Sequence, residues 1–303
     1  MSIRPIKRII ESRPTLEGAG VRLRRAFGFG ETKDYDPFLL FDDFRNENPE
    51  DYVKGFPWHP HRGIETITYV LAGSVAHGDS LGNSGSLGAG DVQWMTAGSG
   101  ILHQEMPRGD TTGRMHGFQL WANLPRALKM TRPRYQDVAG RDVPEVTDDD
   151  GTKVRIVCGD FWGKAGPVEG VAADPRYLDV WVPPGRRKTL PVETTNHAFA
   201  YVFEGSGTFR DASQPGPVKT ERVGDMAPRA GRSEEAQNRT LVLFDRGDEV
   251  TVQAGEAGIR FLLVSGKPIE EPVAWYGPIV MNTQDELRQA WAELQDGTFI
   301  RDR

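Results

Sequence analysis

The chain repeats itself, and the repeat sets the architecture before any single residue is weighed. Ile67-Thr-Tyr-Val-Leu-Ala-Gly-Ser74 returns as Phe199-Ala-Tyr-Val-Phe-Glu-Gly-Ser206, and Gly90-Asp91-Val92 returns as Gly224-Asp225-Met226. An echo in fixed order means two copies of one supersecondary unit. Each copy reads as strands: short β-branched and aromatic runs, stopped by glycine, proline or Gly-Asp turns. Gly82-Asn83 and Ser84-Gly85 read as hairpin turns. With 35 Gly and 21 Pro spread over 303 residues, many short elements joined by turns are expected. The fold class is therefore all-β, two jelly-roll-like β-barrel domains in tandem. The polar, acidic stretch 139–151, AGRDVPEVTDDDG, marks the joint, giving a first domain over 1–140 and a second over 141–303.

One helix is expected, at about 283–296. Thr283 and Glu286 form a capping box, Leu287, Ala290, Trp291 and Leu294 form one apolar stripe, and Gly297 ends it. Such a stripe is expected to dock on a sheet, with that of the other domain as a candidate.

Inside the first copy, residues with metal-binding chemistry recur at a spacing of two. In an extended strand, residues two apart share a face. His59 and His61 therefore point the same way, and Glu65 joins them if the strand continues unbroken. His103 and Glu105 repeat the pattern on a second strand. Two neighbouring strands of this kind can enclose one metal ion. Aligning Gly73 with Gly205 places Pro191, Glu193 and His197 opposite His59, His61 and Glu65. The second anchor places Gln237 and Arg239 opposite His103 and Glu105. The second copy keeps the strand pattern and loses the ligands, so metal is expected only in the first.

Other residues read more plainly. His116 precedes a strand and is structural or lies beside the ligands. His77 sits by a Gly-Asp turn and reads as solvated or at a pocket rim. Phe56, Trp58 and Trp94 are candidates to wall a flat aromatic pocket. Cys158 follows the apolar run Val154–Val157 and reads as an inert buried thiol. As the only cysteine it excludes an intramolecular disulfide, which suits a reducing cytoplasm. The glycine-flanked Phe29 loop is a weak phosphate signal, since no P-loop or dinucleotide pattern follows it. The formal net charge of -6, with no basic stripe, argues against direct nucleic-acid binding. No apolar run reaches membrane-span length, and the basic N-terminus lacks an apolar core. A cytoplasmic protein is expected.

HPHRGIETITYVLAGS, GAGDVQWMTAGSGILHQEMP and HGFQLWANLP resemble the pirins, a bicupin family, and so do GAGVRLRRAFGFG and DPFLLFDDF near the front and GPIVMNTQDELRQAWAELQDGTF at the back. The resemblance covers most of the chain. It implies two stacked cupin domains with one metal, usually iron, in the first. It carries over His59, His61, His103 and Glu105 as ligands, and moves Glu65 to a place beside the ligands or facing substrate. Three imidazoles and a carboxylate suit Fe(II), with Mn, Ni, Cu or Zn as chemical alternatives. Members of the family resemble quercetin 2,3-dioxygenases in activity. The resemblance therefore implies a dioxygenase that takes a flavonol and dioxygen; beside the metal, Glu105 or Glu65 is the carboxylate able to take a substrate proton. It also implies a rival without turnover: an iron-dependent redox regulator that binds a protein partner. A zinc sugar-phosphate isomerase would need a basic clamp near the metal, and Arg62 alone is available for one.

Overall fold

The computed structural model describes residues 1–211 and 235–301. The Gly224-Asp225-Met226 echo lies outside them. In the first half, seven antiparallel strands form one sheet in the order Arg134–Val138, Val92–Thr96, Ile64–Ala72, His116–Asn123, Phe38–Asp43, Val21–Phe27 and Arg13–Glu17. A second sheet holds Phe56–His61, Ile101–Arg108, Ser74–Asp79 and Ser84–Leu87. Ser84 and Gly85 thus lie inside a strand rather than at a turn. Gly85 is needed there because a Cβ would collide with the His77 ring.

Side-chain alternation divides the large sheet between two tasks. On Ile64–Ala72, Val70 faces the small sheet and packs with Val75 and Leu87. Ile67 and Tyr69 face the other way, into a core shared by both halves that also holds Phe118, Phe199, Tyr201 and Leu262. The repeat is visible here as symmetry. Phe199 and Tyr201, the echoes of Ile67 and Tyr69, enter the same core from the second half. The Tyr69 hydroxyl donates to Asp179 at 2.8 Å and the Tyr201 hydroxyl donates to Asp43 at 3.0 Å. Each tyrosine crosses to an aspartate of the opposite half.

The second half is built on two long strands, His197–Phe209 and Glu249–Gly266. Bulges after Val202 and Gly205 bend the first of them. One nine-stranded sheet therefore curves around its own core, where Ile156, Val180, Ala200, Val252 and Phe261 are buried. This interior is filled by aliphatic and aromatic side chains.

The change from one large sheet to the other falls between Val138 and Glu145, inside the acidic stretch. Both chain ends cross that divide. The strand Ile6–Glu11 pairs with Thr240–Phe244 in the second half. At the other end, the hairpin strands Ala274–Tyr276 and Ile279–Met281 and the helix Gln284–Gln295 lie against the first half. The helix carries both arms of the Thr283–Glu286 capping box, and Gly297 has a φ of 73°. Leu287 and Ala290 are buried against Ala274, Ile279 and Phe299. Two cations fasten this tail. Lys129 Nζ donates to the carbonyls of Gly63 and Val280 and to Asn123 Oδ1. Arg62 donates to Ser99 O and Phe299 O and pairs with Glu293.

Cys158 lies in the shared core, and burial, with Glu65 nearby, pushes its thiol up to about 12. The native protein is expected to leave an aromatic disulfide reagent unreacted at pH 8 and to consume one equivalent per chain once unfolded, followed by absorbance. Rapid reaction of native protein would contradict this burial.

Candidate metal centre

The histidines come together because two strands pair in register. Ile101 pairs with His61 and His103 with His59. With residues two apart on one face, His59, His61 and His103 meet at one point. Their ligand atoms all lie within 4.8 Å of one another. Among the described residues this is the one group of three or more such side chains. The second half holds no counterpart among the described residues, and His197 stands apart from any such group.

The hydrogen bonds fix what the rings present. His59 Nδ1 lies 2.8 Å from the Pro57 carbonyl, and His61 Nδ1 lies 3.1 Å from the Pro278 carbonyl. A carbonyl can only accept, so each Nδ1 carries the proton and each Nε2 presents a lone pair. These two Nε2 atoms are 3.1 Å apart. Two lone pairs facing at that distance call for a cation between them. Both ring nitrogens of His103 are buried without a partner among the described residues. Burial, first among the causes, lowers the pKa of all three rings and keeps them in the neutral form a metal requires. Backbone carbonyls that hold ligand imidazoles in one tautomer are the usual outer support of such centres. The donor set therefore fits a divalent ion.

Glu105 stands outside the three-histidine cluster. It follows His103 by two residues, but the pairing slips between them, so that Glu105 lies opposite Phe56. Its Oε1 accepts from Thr68 Oγ1 at 3.2 Å, and Thr68 also reaches Gln119 Oε1 at 2.8 Å. Burial raises its pKa to about 7, with the Thr68 hydroxyl opposing the shift. The carboxylate borders a cavity of about 600 Å³ that His59 and His61 also line. Phe56, Trp58, Trp121 and Met115 supply much of its apolar wall. At its edge Phe29 stacks on Trp275 at 3.8 Å, so the glycine-flanked loop is an aromatic flap instead of a phosphate cradle.

Several sequence expectations are corrected here. Glu65 does not face the metal or the cavity. Gly63, with φ 76°, breaks the strand and turns the chain into the large sheet. Glu65 then lies on the face opposite Thr68, buried, accepting from Thr96 Oγ1 at 2.7 Å. Trp94 is fully buried in the core between the halves and does not line the metal cavity. Trp58 does line the cavity and is 55% exposed. His116 lies away from the cluster, in a cleft between the halves. His77 is buried against Gln93, not solvated. Arg62 is spent on the tail and does not line the cavity, which removes the clamp an isomerase would need. The sequence reading missed Pro278. A backbone acceptor more than two hundred residues from His61 leaves no signal in side-chain identity.

Two β-domains packed back to back, the first with a three-histidine cluster able to hold a metal ion, define a two-domain cupin. The Pirin family model matches residues 20–122, and the model of the Pirin C-terminal cupin domain matches 177–300. A pirin-like protein of Caulobacter vibrioides is 42% identical, covering 99% of this chain and 100% of its own. The chain belongs to the pirin family. Among solved structures, a quercetin 2,3-dioxygenase from Acinetobacter baumannii superposes with a TM-score of 0.84 at 28% identity, over 98% of this chain and 99% of that one. A bacterial pirin from Escherichia coli, solved with nickel(II), shares the fold, with a TM-score of 0.63 at 20% identity over 86% of this chain and 99% of its own. No described helix is long and apolar enough to cross a membrane.

Proposed function

We propose that this chain is an iron-dependent dioxygenase acting on a flat, polyhydroxylated aromatic of the flavonol class. The observation that carries the reading is the cavity itself: apolar and aromatic walls end at His59 and His61 of the three-histidine cluster and at Glu105. The Acinetobacter relative named for quercetin dioxygenation supports the substrate class. Iron is our assignment for the ion, which the Escherichia coli relative's nickel(II) does not decide.

His59, His61 and His103 would hold the ion, which supplies Lewis acidity to a phenolic oxygen and a redox partner for dioxygen. The protein supplies the rest. The walls take the planar rings out of water, with Trp58 and Phe56 placed to cover a flat face. The acids Glu17 and Asp42 also border the cavity, but both pair with Arg25. Glu105 has no cationic partner among the described residues. It is therefore the acid placed to take a proton from a substrate hydroxyl, and Thr68 holds the carboxylate toward the cavity.

Oxygen uptake by anaerobically iron-loaded protein mixed with quercetin tests the reading; no uptake by a fully loaded sample sinks it. Glu105→Gln is expected to lower turnover by about 100-fold or more while metal content stays unchanged. Loss of the metal in that variant would make Glu105 a fourth ligand instead.

A further inference from the structure

We infer that the cleft between the two halves is a second binding site, for a small molecule carrying an oxyanion group. It is a polar cavity of about 700 Å³, lined by Arg45, Arg114 and His116 from the first half and Arg155, Asn238 and Arg260 from the second. It is separate from the metal cavity. On the strand His116–Asn123, Phe118 packs against Phe203 toward the second half, while Gln119 on the opposite face borders the metal cavity. The large sheet of the first half therefore lies between the two sites.

The charge in the cleft is not balanced. Arg45 pairs with Asp43 at 2.9 Å and Arg260 with Asp179 at 2.7 Å. Glu204, which also lines the cleft, approaches Arg260 at 3.8 Å. Arg155 donates to the Tyr69 hydroxyl and to the Gly140 carbonyl, and neither is a charge. Arg114 is exposed and reaches His116 Nδ1 at 3.4 Å. Among the described residues, no carboxylate forms an ion pair with Arg114 or Arg155. The four guanidiniums of the cleft thus outnumber Asp43, Asp179 and Glu204 by one, in a protein whose net charge is -6, and among the described residues Arg114 has only the Asp110 carboxylate within reach of its charge. Planar guanidinium forks are the side chains best matched to carboxylate and phosphate oxygens.

His116 supplies an independent indication. A guanidinium can only donate, so Nδ1 accepts from Arg114 and a neutral ring carries its proton on Nε2. That Nε2–H is buried and has no acceptor among the described residues. A buried donor without an acceptor is rare in a folded protein, and an oxyanion in the cleft would supply one. The surroundings confirm the sign of the field: burial first, then Arg45, Arg114 and Arg260, bring the His116 pKa down to about 3.

Calorimetric titration of metal-loaded protein with inorganic phosphate and, separately, with succinate, at constant ionic strength, tests the site. Saturable binding of one ion per chain is expected for at least one of them, and the preferred ion separates tetrahedral from planar ligands. Arg114→Glu is expected to weaken that binding by at least about tenfold, while Arg288→Glu on the exposed face of the terminal helix leaves it unchanged. Two results overturn the inference. One is no saturable binding of either ion, or equal binding by Arg114→Glu. The other is binding lost in His61→Gln but kept in Arg114→Glu, which would place the anion at the metal.

Discussion

Replacing His61 by alanine is expected to leave a folded protein that no longer retains its metal. The ring is buried, and its Nε2 lies 3.1 Å from that of His59. Removing it leaves His59 and His103 alone, and two imidazoles from two strands close no centre. Loss of a group that merely supports a ligand costs about 10–100-fold in metal affinity, so loss of the ligand itself should exceed that. Metal analysis of protein purified without chelators should fall from about one ion per chain to a trace, and oxygen uptake should vanish with it. The fold should survive, because the cores between the halves and inside the second half do not touch this ring. Full metal occupancy in His61→Ala would remove the three-histidine centre from consideration.

Arg62→Ala should be the most destabilising single change near the site. The guanidinium is 2% exposed and its partner Glu293 is 13% exposed. It donates to Ser99 O at 2.6 Å and to Phe299 O at 2.9 Å, and lies 4.1 Å above the Phe299 ring. Truncation strands two buried carbonyls, while Glu293 keeps Arg301 at 3.2 Å and Gln289 at 3.1 Å. Each buried acceptor left without its donor costs about 1–3 kcal/mol, measurable as a lower urea midpoint with unchanged slope. A second effect should accompany it. Arg62 holds the tail whose Pro278 carbonyl orients His61, so metal affinity should weaken by about 10–100-fold. Unchanged unfolding and unchanged affinity together would show that the tail is held by its apolar contacts alone.

What could be read in the sequence followed from local rules. His59, His61 and His103 were legible because a period of two is a property of any strand. The helix from Gln284 to Gln295 was legible because the capping box and the apolar stripe lie within one short segment. The shared core was half legible, since the Ile67–Phe199 and Tyr69–Tyr201 echoes marked equivalent positions without saying that they face each other. Glu65 was misplaced because one left-handed glycine, Gly63, resets the alternation. Trp94 was misplaced for a related reason. Both faces of its strand are buried, so burial alone does not say which one borders the cavity. The pairing of Ile6–Glu11 with Thr240–Phe244, the Pro278 carbonyl on His61 and the arginines of the cleft all join residues far apart in the chain. No local pattern reports them.

The exchanged ends bear on how the chain matures as it leaves the ribosome. All three histidines are delivered within the first 103 residues, yet the carbonyl that sets the tautomer of His61 belongs to Pro278, and the anchors of Arg62 are Glu293 and Phe299. The opening strand must likewise wait for Thr240–Phe244 before it has a neighbour. A nascent chain therefore carries an unfinished ion site from the moment His103 is made until Pro278 and the helix Gln284–Gln295 have followed.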